Sequence, residues 1–421
     1  MSEYDEVVLV RNPENITVLT QGIMDEFNRE IKAGIHGSLI KYVHGMANKH
    51  NINPINHNTD QTQKQYEFKI CASKPHLLKF QNCYAHSDMV LFDEGKKIIQ
   101  ENLNSYYEWD DGFFPIRRLK PAKPLDITLK FLKLCNIVSK EKDFIIRKKI
   151  AFKKHAQQLF ANKNKIIEVE NAIVFCDQYF YVFGHFMHEN YPRLYFLFSQ
   201  LSEEQKANYK IILPQRSDSS FYYQYISPCL ELFGIKESQV IYLEKDSLLK
   251  IKNLIMPSQI KFHKVVKEAL DHLKNFYGID AKKFSDYEKV YLSRKNAPRR
   301  RVTNEEEVQD FLIKKGFKIV FIEDLDFKSQ ISLLQNVKIL LAQDSSTLTN
   351  VILCNNCEHC LIFTCDKITC PLFSTVVDTK FYYQFCDPEN REKFDWWSSN
   401  IFINTNDLEK NLELVGVSAK L

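Results

Sequence analysis

From residue 166 onward, apolar and polar positions fall into short regular blocks, and each block points to an element. Residues 166–176 form an apolar strand candidate, and 184–201 an aromatic segment carrying histidines. Residues 209–213 read as a strand, 221–233 as a helix with Gly234 just past its end, and 240–243 as a strand before a charged turn. After Pro257 the pattern sharpens. Residues 262–277 have helical spacing with Gly278 as a stop, and 289–293 read as a strand. Asn304 is placed to cap a helix, and Glu307 three residues on would complete a capping box. Val308, Phe311 and Leu312 give that helix its buried face, and Gly316 ends it. A strand at 317–322, a helix at 327–335, a strand at 337–342, a short helix at 347–353 and a strand at 360–364 follow. Such alternation predicts a parallel sheet with right-handed crossovers.

The first 150 residues are less regular. Ile23, Phe27, Ile31 and Ile35 give 24–46 a helical period that Gly34 and Gly37 interrupt, and the Asn-rich 51–65 reads as a loop. Residues 144–154 are basic with isoleucines and Phe152 between. That is a solvated helix face, or a contact for an anionic membrane surface or a phosphorylated acceptor. No internal repeat is visible. Two α/β domains are expected, with a boundary near 247–262.

Length agrees: 421 residues exceed one ordinary core. Glycine is scarce, 11 residues in all, and neither G-x-G-x-x-G nor G-x-x-x-x-G-K-[ST] occurs. A phosphate must therefore be held without a glycine-rich cradle. The 57 basic and 53 acidic residues are too balanced for a chain that binds by neutralising a nucleic-acid backbone. The acidic first residues do not read as a signal peptide, and no run of about 18 apolar residues appears. Eleven cysteines without such a signal suggest reduced thiols in a cytosol.

Three segments could carry chemistry. The first, residues 292–305, lies between a predicted strand and helix, at the carboxyl edge of a parallel sheet where such folds bind ligands. Arg294, Arg299, Arg300 and Arg301 converge there, and guanidinium forks match phosphate oxygens. Phosphate binding is favoured over a solvated basic loop. The second, 344–350, follows a strand and opens a helix. Asp344, Ser345 and Ser346 form a plain N-cap or an anion seat. The third runs from Gly184 to Leu194. If helical, it puts His185 and Glu189 on one face, but Pro192 makes an unbroken helix doubtful. Both side chains suit general-base work, and the missing second histidine excludes an H-E-x-x-H zinc site.

These three segments, in this order and spacing, resemble glycosyltransferase family 61. Gly184-His185-Phe186 with Glu189, Pro192 and Arg193 resembles the family's first motif. Ser293-Arg294 through Arg300-Arg301 and Asn304-Glu305 resembles the second. Glu323-Asp324-Leu325 with Phe327 and Gln330 is similar to the linking piece. Asp344, Ser346, Leu348 and Asn350 resemble the third in its bacterial form, with serine where glycine is usual. The resemblance covers about residues 166–365.

It implies an α/β, GT-B-like fold of two Rossmann-like domains facing a central cleft. Residues 1–250 would be the acceptor-side domain, and 251–421 would bind the nucleotide sugar, with the last helices crossing back. It implies inverting transfer from a nucleotide-diphosphate sugar, a UDP-sugar foremost, with no metal or other cofactor. Arg294, Arg300 and Arg301 would offset the leaving diphosphate's charge. Asn304, Glu305, Asp344, Ser345, Ser346 and Asn350 would complete the donor site. Glu189 or His185 would deprotonate the acceptor hydroxyl, with a lean to Glu189 because carboxylates are ionised at pH 7. The acceptor would be a glycan or lipid-linked saccharide in capsule or lipopolysaccharide assembly. The enzyme would be cytoplasmic, in peripheral contact with the inner membrane or other assembly proteins, and would bind no nucleic acid. A non-catalytic nucleotide- or glycan-binding subunit and a CMP-sugar transferase are the alternatives.

Cys354, Cys357, Cys360, Cys365 and Cys370, with His359, have metal-like spacing, but buried core thiols are the expected reading. Trp396-Trp397 and Tyr382-Tyr383 could stack on sugars and are read first as packing.

Overall fold

A computed structural model describes strand positions 6–10, 16–18 and 68–72, residues 75–92 with gaps, residue 160, and most of 166–417. The expectations at 24–46, 51–65 and 144–154 lie outside the described residues, as do Cys370, Trp396 and Trp397. The chain divides into two compact units, Pro75–Ile260 and Met1–Lys74 with Lys261–Leu421.

The first strands are β1 (Glu6–Val10), β2 (Ile16–Val18) and β3 (Phe68–Ala72), of which β1 and β3 pair antiparallel. The Pro75–Ile260 unit contains β4 (Leu77–His86), β5 (Leu91–Phe92), β6 (Ile166–Ile173), β7 (Lys210–Pro214), β8 (Val240–Leu243) and β9 (Leu248–Pro257). They form one sheet in the order β5-β4-β9-β6-β7-β8. Strand β4 runs antiparallel to β5 and β9, while β9, β6, β7 and β8 are mutually parallel. Strand β9 sits where the sequence suggested a boundary. Its Lys250 and Lys252 interrupt the apolar run, yet they face Glu168 and Glu170 of β6 at 2.8 and 2.6 Å. Opposite charges thus face each other on the exposed side, while Leu249, Ile251 and Leu254 to Met256 enter the core and fix the register.

The second unit is built on a parallel sheet, as the alternation predicted. Its strands are β10 (Lys289–Leu292), β11 (Lys318–Val320), β12 (Ile339–Gln343), β13 (His359–Thr364) and β14 (Lys380–Phe385). The order is β11-β10-β12-β13-β14-β2, every neighbouring pair parallel. Helices α1 (Lys264–Tyr277), α2 (Glu305–Lys314), α3 (Phe327–Leu334) and α4 (Thr405–Leu414) belong to this unit, as does the short antiparallel pair β15 (Asp387–Pro388) and β16 (Ile401–Phe402). Val308 and Leu312 of α2 and Leu408 and Leu412 of α4 pack with Tyr291, Leu341, Leu361 and Phe363 on one sheet face. Gly316, at φ +83°, ends α2 in the left-handed region where a Cβ is disfavoured.

The expected capping box at the start of α2 does not form. Asn304 has no side-chain cap bond to the helix backbone. Its carboxamide instead donates to the Ile403 carbonyl at 2.8 Å and accepts the Ile403 N–H at 3.1 Å. A two-way bond to a neighbouring chain segment satisfies both amide atoms at once, where a cap uses only the oxygen.

Candidate functional site

In the second unit, the first two candidate segments meet. Strands β10 and β12 are parallel neighbours, so both segments leave the same carboxyl edge of the sheet. Arg294 Nη1 donates to Thr347 Oγ1 at 2.8 Å, and Arg300 Nη1 to the Asp344 carbonyl at 3.4 Å. Arg294 also fastens its own turn: Nε donates to the Arg300 carbonyl at 3.1 Å and Nη2 to the Arg299 carbonyl at 3.2 Å. Arg300 has φ +52°, a left-handed conformation that costs a non-glycine residue about 1–2 kcal/mol. Those carbonyl contacts hold the backbone there.

Arg299 and Arg301 are exposed, and Arg294 and Arg300 half-buried. Burial lowers the Arg294 guanidinium to about 10, and the positive charges of Arg300 and Arg299 push it the same way. Positive charges crowded around a half-buried guanidinium favour an anionic ligand, which would relieve that repulsion.

The remaining second-unit candidates build the scaffold under this edge. Glu305 is buried at the start of α2 and accepts from Tyr291 at 3.0 Å, from Ser293 Oγ, and from Gln309 Nε2 at 2.9 Å. Ser293 in turn accepts the Lys295 N–H at 3.2 Å, so the arginine turn starts from a fixed point. Burial raises the Tyr291 hydroxyl well above its ordinary value, with the Glu305 charge next. Ser345 donates to the Gln343 carbonyl and accepts the Thr347 N–H, each at 3.2 Å, and thereby caps the 3-10 helix Ser346–Leu353. Asn350 is buried and donates to the Thr347 carbonyl at 2.8 Å. Asp344, Ser346 and Thr347 are the partly exposed members of this turn, and Thr347 is not among the sequence candidates.

The third segment belongs to the other unit and follows the carboxyl end of β6. It is helical throughout: Phe183–His185, a π turn at Phe186–Asn190, then Tyr191–Gln200. Pro192, doubtful in a plain helix, stands in the first turn after the π register shift, where its missing N–H costs little. His185 and Glu189 therefore do meet, with Nδ1 2.8 Å from Oε2. The Glu189 side chain is 0% exposed and that of His185 19%. His185 also stacks on Tyr179, ring centroids 4.7 Å apart.

Behind the pair lies a buried polar layer, of which only Arg193 stands out in the sequence motif. Asn190 accepts the Asp177 N–H at 2.9 Å and donates to Asp177 Oδ1 at 3.3 Å and to the His185 carbonyl at 3.1 Å. Arg193, also fully buried, donates to the Pro257 carbonyl at 3.0 Å. Burial raises the Asp177 carboxyl, and the Glu189 charge raises it further, against the pull of Arg193 and His185. Burial likewise lowers the Arg193 guanidinium, opposed most by Asp177. Asn190 lies in the motif segment, but its partner Asp177 precedes it by a loop, and no local spacing joins them.

The cysteines turn inward. Cys354 donates to the Asn350 carbonyl at 3.7 Å, Cys357 to the His359 carbonyl at 3.3 Å, and Cys360 is buried in β13. Among the described residues, no group of three or more His, Cys, Asp or Glu side chains is placed to hold a metal ion. Tyr383 is buried, and Tyr382 packs in the core with its hydroxyl hydrogen-bonded to His359 Nδ1 at 3.1 Å.

With this geometry in place, comparison with known proteins is specific. Residues 183–361 match the family model Glycosyltransferase 61. The matched range begins at the helical segment bearing His185, takes in the arginine and serine turns, and ends within β13. It supports glycosyltransferase family 61, and with it a sugar-transferring activity. No curated protein matches the chain.

Proposed function

We propose that the chain is an inverting, metal-independent glycosyltransferase of the GT-B type, with a nucleotide-diphosphate sugar as donor, a UDP-sugar foremost. The observation that carries this reading is the arginine turn at the carboxyl edge of β10, joined to the serine turn by the Arg294–Thr347 bond. Arg299, Arg300 and Arg301 supply positive charge and forked donors for a leaving diphosphate, the work a divalent cation does in other enzymes. Arg294 spends one N–H from each of its nitrogens on the protein and keeps two for ligand.

In the other unit, the partly exposed member of the dyad, His185, is the base. Ionised Glu189 accepts from His185 Nδ1–H, which leaves Nε2 with a lone pair. That nitrogen takes the proton of an acceptor hydroxyl as its oxygen attacks the anomeric carbon. The bond from that carbon to the diphosphate oxygen breaks, and the electron pair leaves with the nucleotide. A carboxylate sealed from solvent cannot reach an acceptor but can orient an imidazole and stabilise its cation. This pair favours a catalytic chain over a binding-only subunit. A glycan acceptor in capsule or lipopolysaccharide assembly, and a cytoplasmic place with peripheral membrane contact, complete the proposal. Among the described residues no helix is long and apolar enough to cross a membrane.

Thermal shift against UDP, GDP, CMP and their sugars tests the donor class. A true donor at 100-fold its dissociation constant stabilises by ~2.7 kcal/mol. A response to CMP and not to nucleoside diphosphates would replace the diphosphate reading.

A further inference from the structure

The arginine turn does not hold itself alone. A C-terminal segment outside the matched range lies along it, in the same unit. The Arg300 N–H donates to the Ser398 carbonyl at 3.3 Å, and the Ile401 N–H to the Arg301 carbonyl at 2.9 Å. Val302 bridges to Ile401 in parallel fashion, and the Thr303 N–H reaches the Ile401 carbonyl at 2.8 Å. Side chains join this backbone ladder: Thr303 Oγ1 donates to the Ile401 carbonyl at 3.2 Å, and Asn400 Oδ1 accepts the Arg301 N–H at 2.9 Å. The Asn400 amide cannot turn over, because Nδ2 donates to Glu389 Oε2 at 2.9 Å and a carboxylate accepts only. Glu389 is itself anchored, its N–H donating to the Asn400 carbonyl at 2.9 Å beside the β15–β16 pair.

We propose that Asn400 is a positioning residue for diphosphate binding, its amide orientation locked by Glu389. It fixes the Arg301 backbone directly after the left-handed Arg300 and so decides where two successive guanidinium groups emerge. The inference rests on the reading of the arginine turn as a diphosphate site. Its chemistry predicts a charge-conserving reversal. In Asn400→Asp, a carboxylate still accepts from Arg301 but faces the Glu389 carboxylate. With Glu389→Gln added, the amide donates across the same gap in the other direction, and both hydrogen bonds return.

The test is calorimetric titration of the full chain with inorganic pyrophosphate and, separately, UDP, each variant's unfolding midpoint being recorded alongside. Asn400→Ala and Asn400→Asp should each weaken binding about tenfold, one lost hydrogen bond's worth. Asn400→Asp/Glu389→Gln should recover to within about twofold. Arg301→Ala serves as the control for the site. If the parent binds neither probe, or Arg301→Ala binds both like the parent, the diphosphate site itself is wrong and the role of Asn400 goes with it. If Arg301→Ala weakens binding while Asn400→Ala does not, the site stands and the positioning role is overturned. A double variant that regains the parent unfolding midpoint but not the affinity also overturns it.

Discussion

Nδ1 of His185 lies 2.8 Å from Oε2 of Glu189, and the carboxylate is wholly enclosed while the imidazole reaches solvent. That asymmetry separates the roles of two residues that sequence alone leaves interchangeable. His185→Ala should reduce donor turnover by ~10²–10⁴ without weakening pyrophosphate binding. Added imidazole should restore part of that loss, because the side chain it replaces reaches solvent. Formate should not restore Glu189→Ala. Rescue by formate and not by imidazole would make Glu189 the base.

Arg294 is more than a charge. Three of its N–H groups meet the carbonyls of Arg299 and Arg300 and the Thr347 hydroxyl. Arg294→Lys keeps the charge but lacks the fork, so it should bind a diphosphate nearly as poorly as Arg294→Ala. If lysine restores binding, the residue contributes charge alone.

Asn304 stabilises by bridging to Ile403, and its variants separate a bridge from a cap. Asn304→Ala should lower stability by ~1–2 kcal/mol in urea unfolding. Asp caps helices as well as Asn does, so a capping role would leave Asn304→Asp neutral. As a bridge, Asp loses the donor to the Ile403 carbonyl and should resemble Ala.

The acid side of the stability profile should depend on His359. Burial lowers this imidazole, the Lys380 charge adds to the effect, and Glu358 opposes it. The folded chain therefore takes up this proton at lower pH than the unfolded chain does. Stability present above the ordinary histidine value of ~6.5 is then lost as pH falls below it. His359→Gln should flatten the change in urea midpoint between pH 7 and pH 5. His272, lowered by burial, should account for part of what remains. An unchanged slope in His359→Gln would refute the assignment.

Much of the second unit is legible in the sequence because its elements are local. Strands β10, β12 and β13 and helix α3 fall within a residue or two of their apolar periods. Strand β9 is not legible in this way. Its lysines look like loop until Glu168 and Glu170 are seen beside them. The candidate site divides similarly. The arginines, His185 and Glu189 announce themselves by residue type and spacing. Asp177, Thr347 and Asn400 act across gaps in sequence that no window spans, and at Asn304 a rule of local capping yields to a distant backbone.

The pairing of β2 with β14 also has a consequence for how the chain is made. The Pro75–Ile260 unit is continuous in sequence and is complete once its last residue emerges. Ile16–Val18 is made before that unit, but its partner at Lys380–Phe385 comes after it, tens of seconds behind Ile16–Val18 at about 5–20 residues per second. Through that interval β2 is an apolar strand without a sheet, and one unit must finish while the other waits for both its ends. Synthesis order thus makes the parallel sheet that carries the arginine turn the later of the two to close. Chaperone demand and misfolding during translation should concentrate on that sheet.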